Sequence, residues 1–235
     1  MQEKKYYKRA LALAWPAVFE SFFIALAGII DTFMISSLGP EAIAAIGLTT
    51  QPKFLAITSF FAISSAVSAL VARRQGEDNR RKANQTLMTA LLISLIFVVI
   101  TTILMVRFSD PILVFAGSDA STHQMAKEYF NVIMIGLIFN AVSMIINAAH
   151  RGAGNTRIAF ITNLVSSLVN IFFNYLLIEG RFGFPELGTK GAAIATVIGT
   201  AVSSIMCFHS LRKKRSYLNL KEMAYSGIRL SLIHI

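Results

Sequence analysis

Two carboxylates, Glu20 and Asp31, stand inside one apolar run of this 235-residue chain. They are eleven residues apart, which at about 100° per residue puts both on one face of a helix, about 16 Å apart along its axis. An ionisable group in an apolar helix is costly, so each is read first as functional. Asp31 either lines a polar cavity or caps its helix; Glu20 lies toward the other end, within reach of a basic loop. Farther on, Asn163, Ser167, Asn170 and Asn174 recur at i, i+4, i+7 and i+11, one narrow face of a second helix. Carboxamides facing lipid would leave their donors unpaired, so the stripe looks into protein or water. It is either hydrogen-bonding glue between helices or the wall of a cavity. Asn140, Ser143 and Asn147 repeat the theme in another run, and Gln51 and the lone cation Lys53 stand in a third. Lys53 either pairs with a carboxylate or snorkels outward, in a structural or gating role.

The elements that carry these residues follow from composition. The chain is 55% hydrophobic and 14% charged, with mean hydropathy +0.62, against roughly 25% charged residues in soluble domains. Such a chain cannot cover itself with polar surface, which excludes a disordered protein and argues against a soluble enzyme. A bilayer core of about 30 Å takes roughly 20 helical residues. Six runs are long enough: about 10–37, 42–71, 83–106, 129–149, 158–178 and 191–211. They are continuous rather than alternating, which argues for helices over barrel strands. The expected fold is therefore all-α, a polytopic six-helix membrane bundle.

Of the 22 Lys and Arg, 17 lie at the two termini and in the second-to-third and fourth-to-fifth connectors. The positive-inside rule then puts both termini in the cytoplasm, as an even number of spans requires. The net charge of +10 reads as these basic loops, not as a nucleic-acid surface. In the sixth run Gly191, Ala195, Gly199 and Ser203 form a small-residue row that permits close helix packing. Pro16 and Pro52 are expected to kink their helices. His150 and His209 sit near span ends and read as interfacial. The single Cys207 excludes an internal disulfide. With no P-loop, His-Glu-x2-His or Gly-x-Ser-x-Gly motif, the natural energy source is an ion gradient and no enzyme activity is expected.

Several segments, in order, resemble the multidrug and toxic compound extrusion (MATE) family. They begin at Pro16 and run through Ile29-Ile30-Asp31-Thr32-Phe33-Met34, Leu38-Gly39 and Ala42–Gly47. They continue with Val71–Gly76 and Arg151–Thr156, then Asn170-x3-Asn174-Tyr175 through Gly180, and Gly188–Thr196. The resemblance covers nearly the whole chain. It implies one lobe of a twelve-helix transporter, a cation-coupled antiporter that exports drugs or other organic, often cationic, compounds across the cell membrane. Residues 1–226 would be the N-terminal lobe and 227–235 a truncated or foreign tail, with a C-terminal lobe missing. The resemblance further implies that Asp31 binds the coupling ion, H⁺ or Na⁺, with Asn170 and Asn174 as partners. Some branches carry aspartate where Asn174 stands; asparagine does not titrate, but its carbonyl can ligate sodium.

Glu20, Gln51, Lys53, Asn140, Asn147, Asn163 and Ser167 are cavity-lining candidates. No cofactor and no metal beyond Na⁺ at Asp31 is expected. The partners are the lipid bilayer and small organic substrates. The alternatives are a lipid-linked oligosaccharide flippase of the same broad superfamily, a membrane enzyme, or an assembly subunit.

Overall fold

The computed structural model describes residues 2–212 and 217–219, with side chains except those of 2–14, 16 and 17. The proposed boundary at 226 and the tail 227–235 lie outside the described residues. The chain forms α1 (Gln2–Ser36), α2 (Pro40–Leu48), α3 (Thr50–Gly76), α4 (Arg80–Arg107) and α5 (Ser109–Phe115). There follow α6 (His123–Gly152), α7 (Thr156–Leu177), a 3₁₀ turn at Arg181–Gly183 and α8 (Gly188–Arg212). Among the described residues there are no strands, and six segments are long and apolar enough to cross a membrane. The fold is the expected all-α bundle of six spans.

The second span departs from the sequence expectation of a single helix. It breaks at Thr49 into α2 and α3. Pro52 has no N–H, so the Leu48 carbonyl loses its donor one turn on. Thr49 turns back instead, its N–H and hydroxyl reaching the Ile46 carbonyl at 3.1 and 2.7 Å. Pro16 leaves α1 continuous. The connector between the third and fourth spans holds the short helix α5. Pro111 falls in its first turn, where a missing N–H costs nothing.

α6 is the hub, packed by α3, α4 and α8; α7 lies on α8, and α1 lies on α7. One core layer joins Val71, Leu87, Ile146 and Leu211 at the end that carries the α3–α4 and α6–α7 connections. A second joins Phe60, Leu113, Phe130 and Met134 toward the other end. The small-residue row of α8 is packing, as expected. A Cβ on Gly191 would lie 2.5 Å from the Leu177 carbonyl oxygen, and one on Gly199 2.6 Å from that of Ser166. His150 corrects the interfacial reading: it is buried, its Nε2 2.8 Å from the Ser210 hydroxyl on α8. Residues 217–219 lie against α4, where the Asn84 carboxamide accepts from the Asn219 N–H at 2.8 Å and donates to the Tyr217 carbonyl at 3.2 Å.

Candidate functional site

α1 and α7 run side by side in parallel, and their polar residues meet. The Asn174 amide donates to Asp31 Oδ1 at 2.7 Å. Asn170 lies between Asp31 and Thr196 of α8. With its nitrogen toward the carboxylate it donates to Asp31 Oδ1 and Oδ2 at 2.9 and 3.0 Å, and accepts from the Thr196 N–H and hydroxyl at 3.2 Å. Turned over, its nitrogen donates to the Thr196 hydroxyl at 3.2 Å and its oxygen faces the carboxylate. Asn174 is 1% exposed, and its Oδ1 has no hydrogen-bond partner among the described residues. A buried acceptor without a donor costs about 1–3 kcal/mol. Carboxylate, carboxamide and hydroxyl oxygens gathered at one place suit a proton or a hard cation.

The rest of the α7 stripe divides. Asn163 donates to Glu20 Oε1 at 2.5 Å, and Arg151 Nη1 stands 3.6 Å from the same oxygen. Glu20 thus faces Arg151 in the last turn of α6, not a loop. Ser167, between the two rungs, is half-buried. Asn147 is not a cavity wall: it is 2% exposed, and its Oδ1 accepts from Thr162 at 3.1 Å and from the Cys207 thiol at 3.3 Å. It ties α6 to α7 and α8. Asn140 is half-buried on α6. Gln51 is exposed and lines an open cavity of about 970 Å³ with Leu48, Leu55, Pro111 and Phe115, away from Asp31.

Among the described residues Lys53 meets no carboxylate, and it does not snorkel to a span end. Its ammonium lies 3.4 Å from the Tyr129 hydroxyl and 4.9 Å from the Tyr129 ring centroid, a cation–π arrangement. Tyr129 in turn packs with Met34 and Ile35 of α1. Sequence reasoning passed over Thr196 and Tyr129. Thr196 closes a quoted motif, one residue past Ala195 in the small-residue row, and that adjacency was the available signal. Tyr129 carried none.

The fold and these buried polar rungs define a multi-pass helical membrane protein. A sequence model of the MatE family matches residues 16–176. The chain is 29% identical over 210 residues to a probable multidrug resistance protein NorM of Thermotoga maritima, covering 89% of this chain and 45% of that protein. It is 30% identical over 173 residues to a FAD transporter of Shewanella oneidensis, covering 74% of this chain and 38% of that one. A solved outward-facing multidrug resistance MATE family transporter of the MOP superfamily superposes with a TM-score of 0.83 at 28% identity, over 92% of this chain and 48% of that one. The chain belongs to the MatE family, whose members are transporters and not enzymes. It spans about half the length of the curated relatives it matches, as one lobe of such a transporter does.

Proposed function

We propose that this chain is the first lobe of a cation-coupled exporter in the cell membrane, with Asp31 carrying the coupling ion. The end with the α3–α4 and α6–α7 connections faces the cytoplasm, as the placement of Lys and Arg argues. A second lobe completes the substrate path, and the two alternate in access. The observation that carries the reading is the 2.7 Å bond from Asn174 to Asp31. It is charge-assisted, and protonating Asp31 turns it into a weaker neutral one. Sodium acts at the same place by drawing carboxylate and carboxamide oxygens to itself. The turned-over Asn170, oxygen toward Asp31, is the arrangement a cation between them stabilises. Protonation loosens α1 from α7, whereas a bound sodium ion bridges them; either event changes how α1 is held. Among the described residues α1 is the least embedded span, so it is the helix such a change moves.

The exported compounds are organic molecules, often cationic; the relative named a FAD transporter extends the candidates to organic anions. The names of the relatives do not favour the flippase alternative. The test is efflux of a fluorescent organic cation, and separately of FAD, from proteoliposomes of the intact protein under proton or sodium gradients. Asp31→Asn keeps shape and removes charge; it should cut gradient-driven efflux at least about tenfold, the equivalent of about 1.4 kcal/mol. Unimpaired efflux in correctly folded Asp31→Asn overturns the assignment.

A further inference from the structure

A cavity of about 230 Å³ opens between the last turn of α1 and the end of α7. It has room for several water molecules at about 30 Å³ each. Asn174, whose amide holds Asp31, is part of its wall. Asn174 Oδ1 is buried and has no hydrogen-bond partner among the described residues. Ser37, Tyr175, Glu179 and Arg181 complete the polar lining.

Glu179 and Arg181 stand where the span has ended, with side chains 41% and 43% exposed. Arg181 Nε donates to Glu179 Oε2 at 2.9 Å, and the guanidinium lies 4.2 Å from the Tyr175 ring centroid. The backbone here is tightly turned: Gly180, Phe182 and Gly183 have φ of 68°, 58° and 85°. Positive φ is costly for a phenylalanine, and such strain is retained where the surroundings fix it. Arg181 foremost, then Ser37, hold the Glu179 carboxyl below the usual carboxylate range, so it is ionised at neutral pH.

We infer that this cavity is the path by which the coupling cation reaches Asp31, and that the Glu179–Arg181 pair at its mouth sets the rate of entry. Glu179 draws cations toward the mouth. Arg181, clamped between Glu179 and the Tyr175 ring, offsets that field and must leave Glu179 for a cation to take its place. The inference rests on the reading of Asp31 as the coupling site.

The test measures initial cation uptake into proteoliposomes of the intact protein, with a pH-sensitive dye in the proton arm and radioactive sodium in the other. Wild type, Glu179→Gln, Arg181→Gln and Asp31→Asn are compared at low and high ionic strength. Glu179→Gln should slow uptake by about three- to tenfold at low salt, and Arg181→Gln should speed it by about twofold or more. Both differences should shrink at high salt, as steering by a local charge does. A merely structural role for Glu179 would not give that salt dependence. Cation uptake lost in Asp31→Asn but unchanged in both mouth variants overturns the path and leaves the coupling site standing. Wild-type uptake in Asp31→Asn, or uptake of neither cation by wild type, overturns the coupling site and the path with it.

Discussion

Asn174 donates to Asp31 at 2.7 Å across the α1–α7 contact, and three turns back along the same two helices Asn163 donates to Glu20 at 2.5 Å. Both rungs join residues 143 apart in sequence, so a single parallel register satisfies them together. The rungs differ in how charge is balanced. Glu20 also faces the Arg151 guanidinium at 3.6 Å. Among the described residues Asp31 meets the carboxamides of Asn174 and Asn170, which are neutral. The charge of Glu20 is balanced within the protein; in the proposed coupling, that of Asp31 is balanced by a mobile cation.

Replacing Asn174 tests this contact directly. Asn174→Ala leaves a partly buried carboxylate with fewer donors and should destabilise by about 1–3 kcal/mol. Asn174→Asp sets a second carboxylate against Asp31, so its stability should rise when protons or sodium ions are supplied. Thermal unfolding in detergent, with and without sodium and across pH 5–8, reads both. An Asn174→Asp midpoint insensitive to pH and sodium would show that the two side chains do not share a cation.

Glu20→Gln should behave differently. It keeps an acceptor for Asn163 and loses the attraction of Arg151, whose side chain is 36% exposed. Solvent-screened pairs contribute about 0–1 kcal/mol, so the unfolding midpoint should move little. Gradient-driven efflux should stay within about threefold of wild type, against about tenfold or more lost in Asp31→Asn. A larger efflux loss in Glu20→Gln would move the coupling site to the other rung.

The six spans were legible because each is a continuous apolar run bounded by charge or turn residues, a local property of sequence. The α7 stripe was legible as a face, but not what it faced. Asn147 and Asn174 belong to similar polar rows, yet one is glue between three helices and the other bonds a carboxylate. The neighbouring helix decides, and pattern does not name the neighbour. The pairing of Asn170 and Asn174 with Asp31 entered as an implication of family resemblance. Lys53 failed for the same reason: its partner Tyr129 is 76 residues away. The break at Thr49 was half legible. Pro52 signalled a bend, but not that Thr49 turns back onto the Ile46 carbonyl and splits the helix.

The close approach of α8 to α7 is tested at a glycine. A Cβ at Gly191 would meet the Leu177 carbonyl at 2.5 Å, whereas at Gly28 it would meet nothing within 4 Å. Gly191→Val should destabilise by about 1–3 kcal/mol through forced separation of the helices. Gly28→Ala should be neutral or mildly stabilising, since alanine is the better helix former. Equal midpoints for the two variants in detergent would show that the tight contact is absent in solution.

Orientation is tested by labelling. Ala120 and Gln75 are exposed at opposite ends of the bundle, and the native Cys207 is buried, so background labelling should be low. In intact cells a membrane-impermeant thiol reagent should modify Ala120→Cys and spare Gln75→Cys. The reverse pattern inverts the bundle in the membrane.

The start of α6 carries a pH-dependent contribution that can be isolated. Asp119 Oδ1 accepts from the Thr122 N–H and hydroxyl at 3.0 and 2.8 Å, and from those of Ser121 at 3.1 and 2.8 Å. The Thr122 hydroxyl foremost, then that of Ser121, pull the Asp119 carboxyl down from 3.8 to about 2. A folded value below the unfolded one means the ionised form is favoured by folding. The contribution is fully present above about pH 4, fades as pH falls from 3.8 toward 2, and is gone below that. Asp119→Ala removes it at every pH. The gap in unfolding midpoint between wild type and Asp119→Ala should therefore be constant from pH 7 to about pH 4 and should narrow toward pH 2. Other carboxylates titrate in the same range, but they are common to both proteins and cancel in the difference. A gap of equal size at pH 5 and pH 2 would mean that shape, not the charge of the carboxylate, holds this turn.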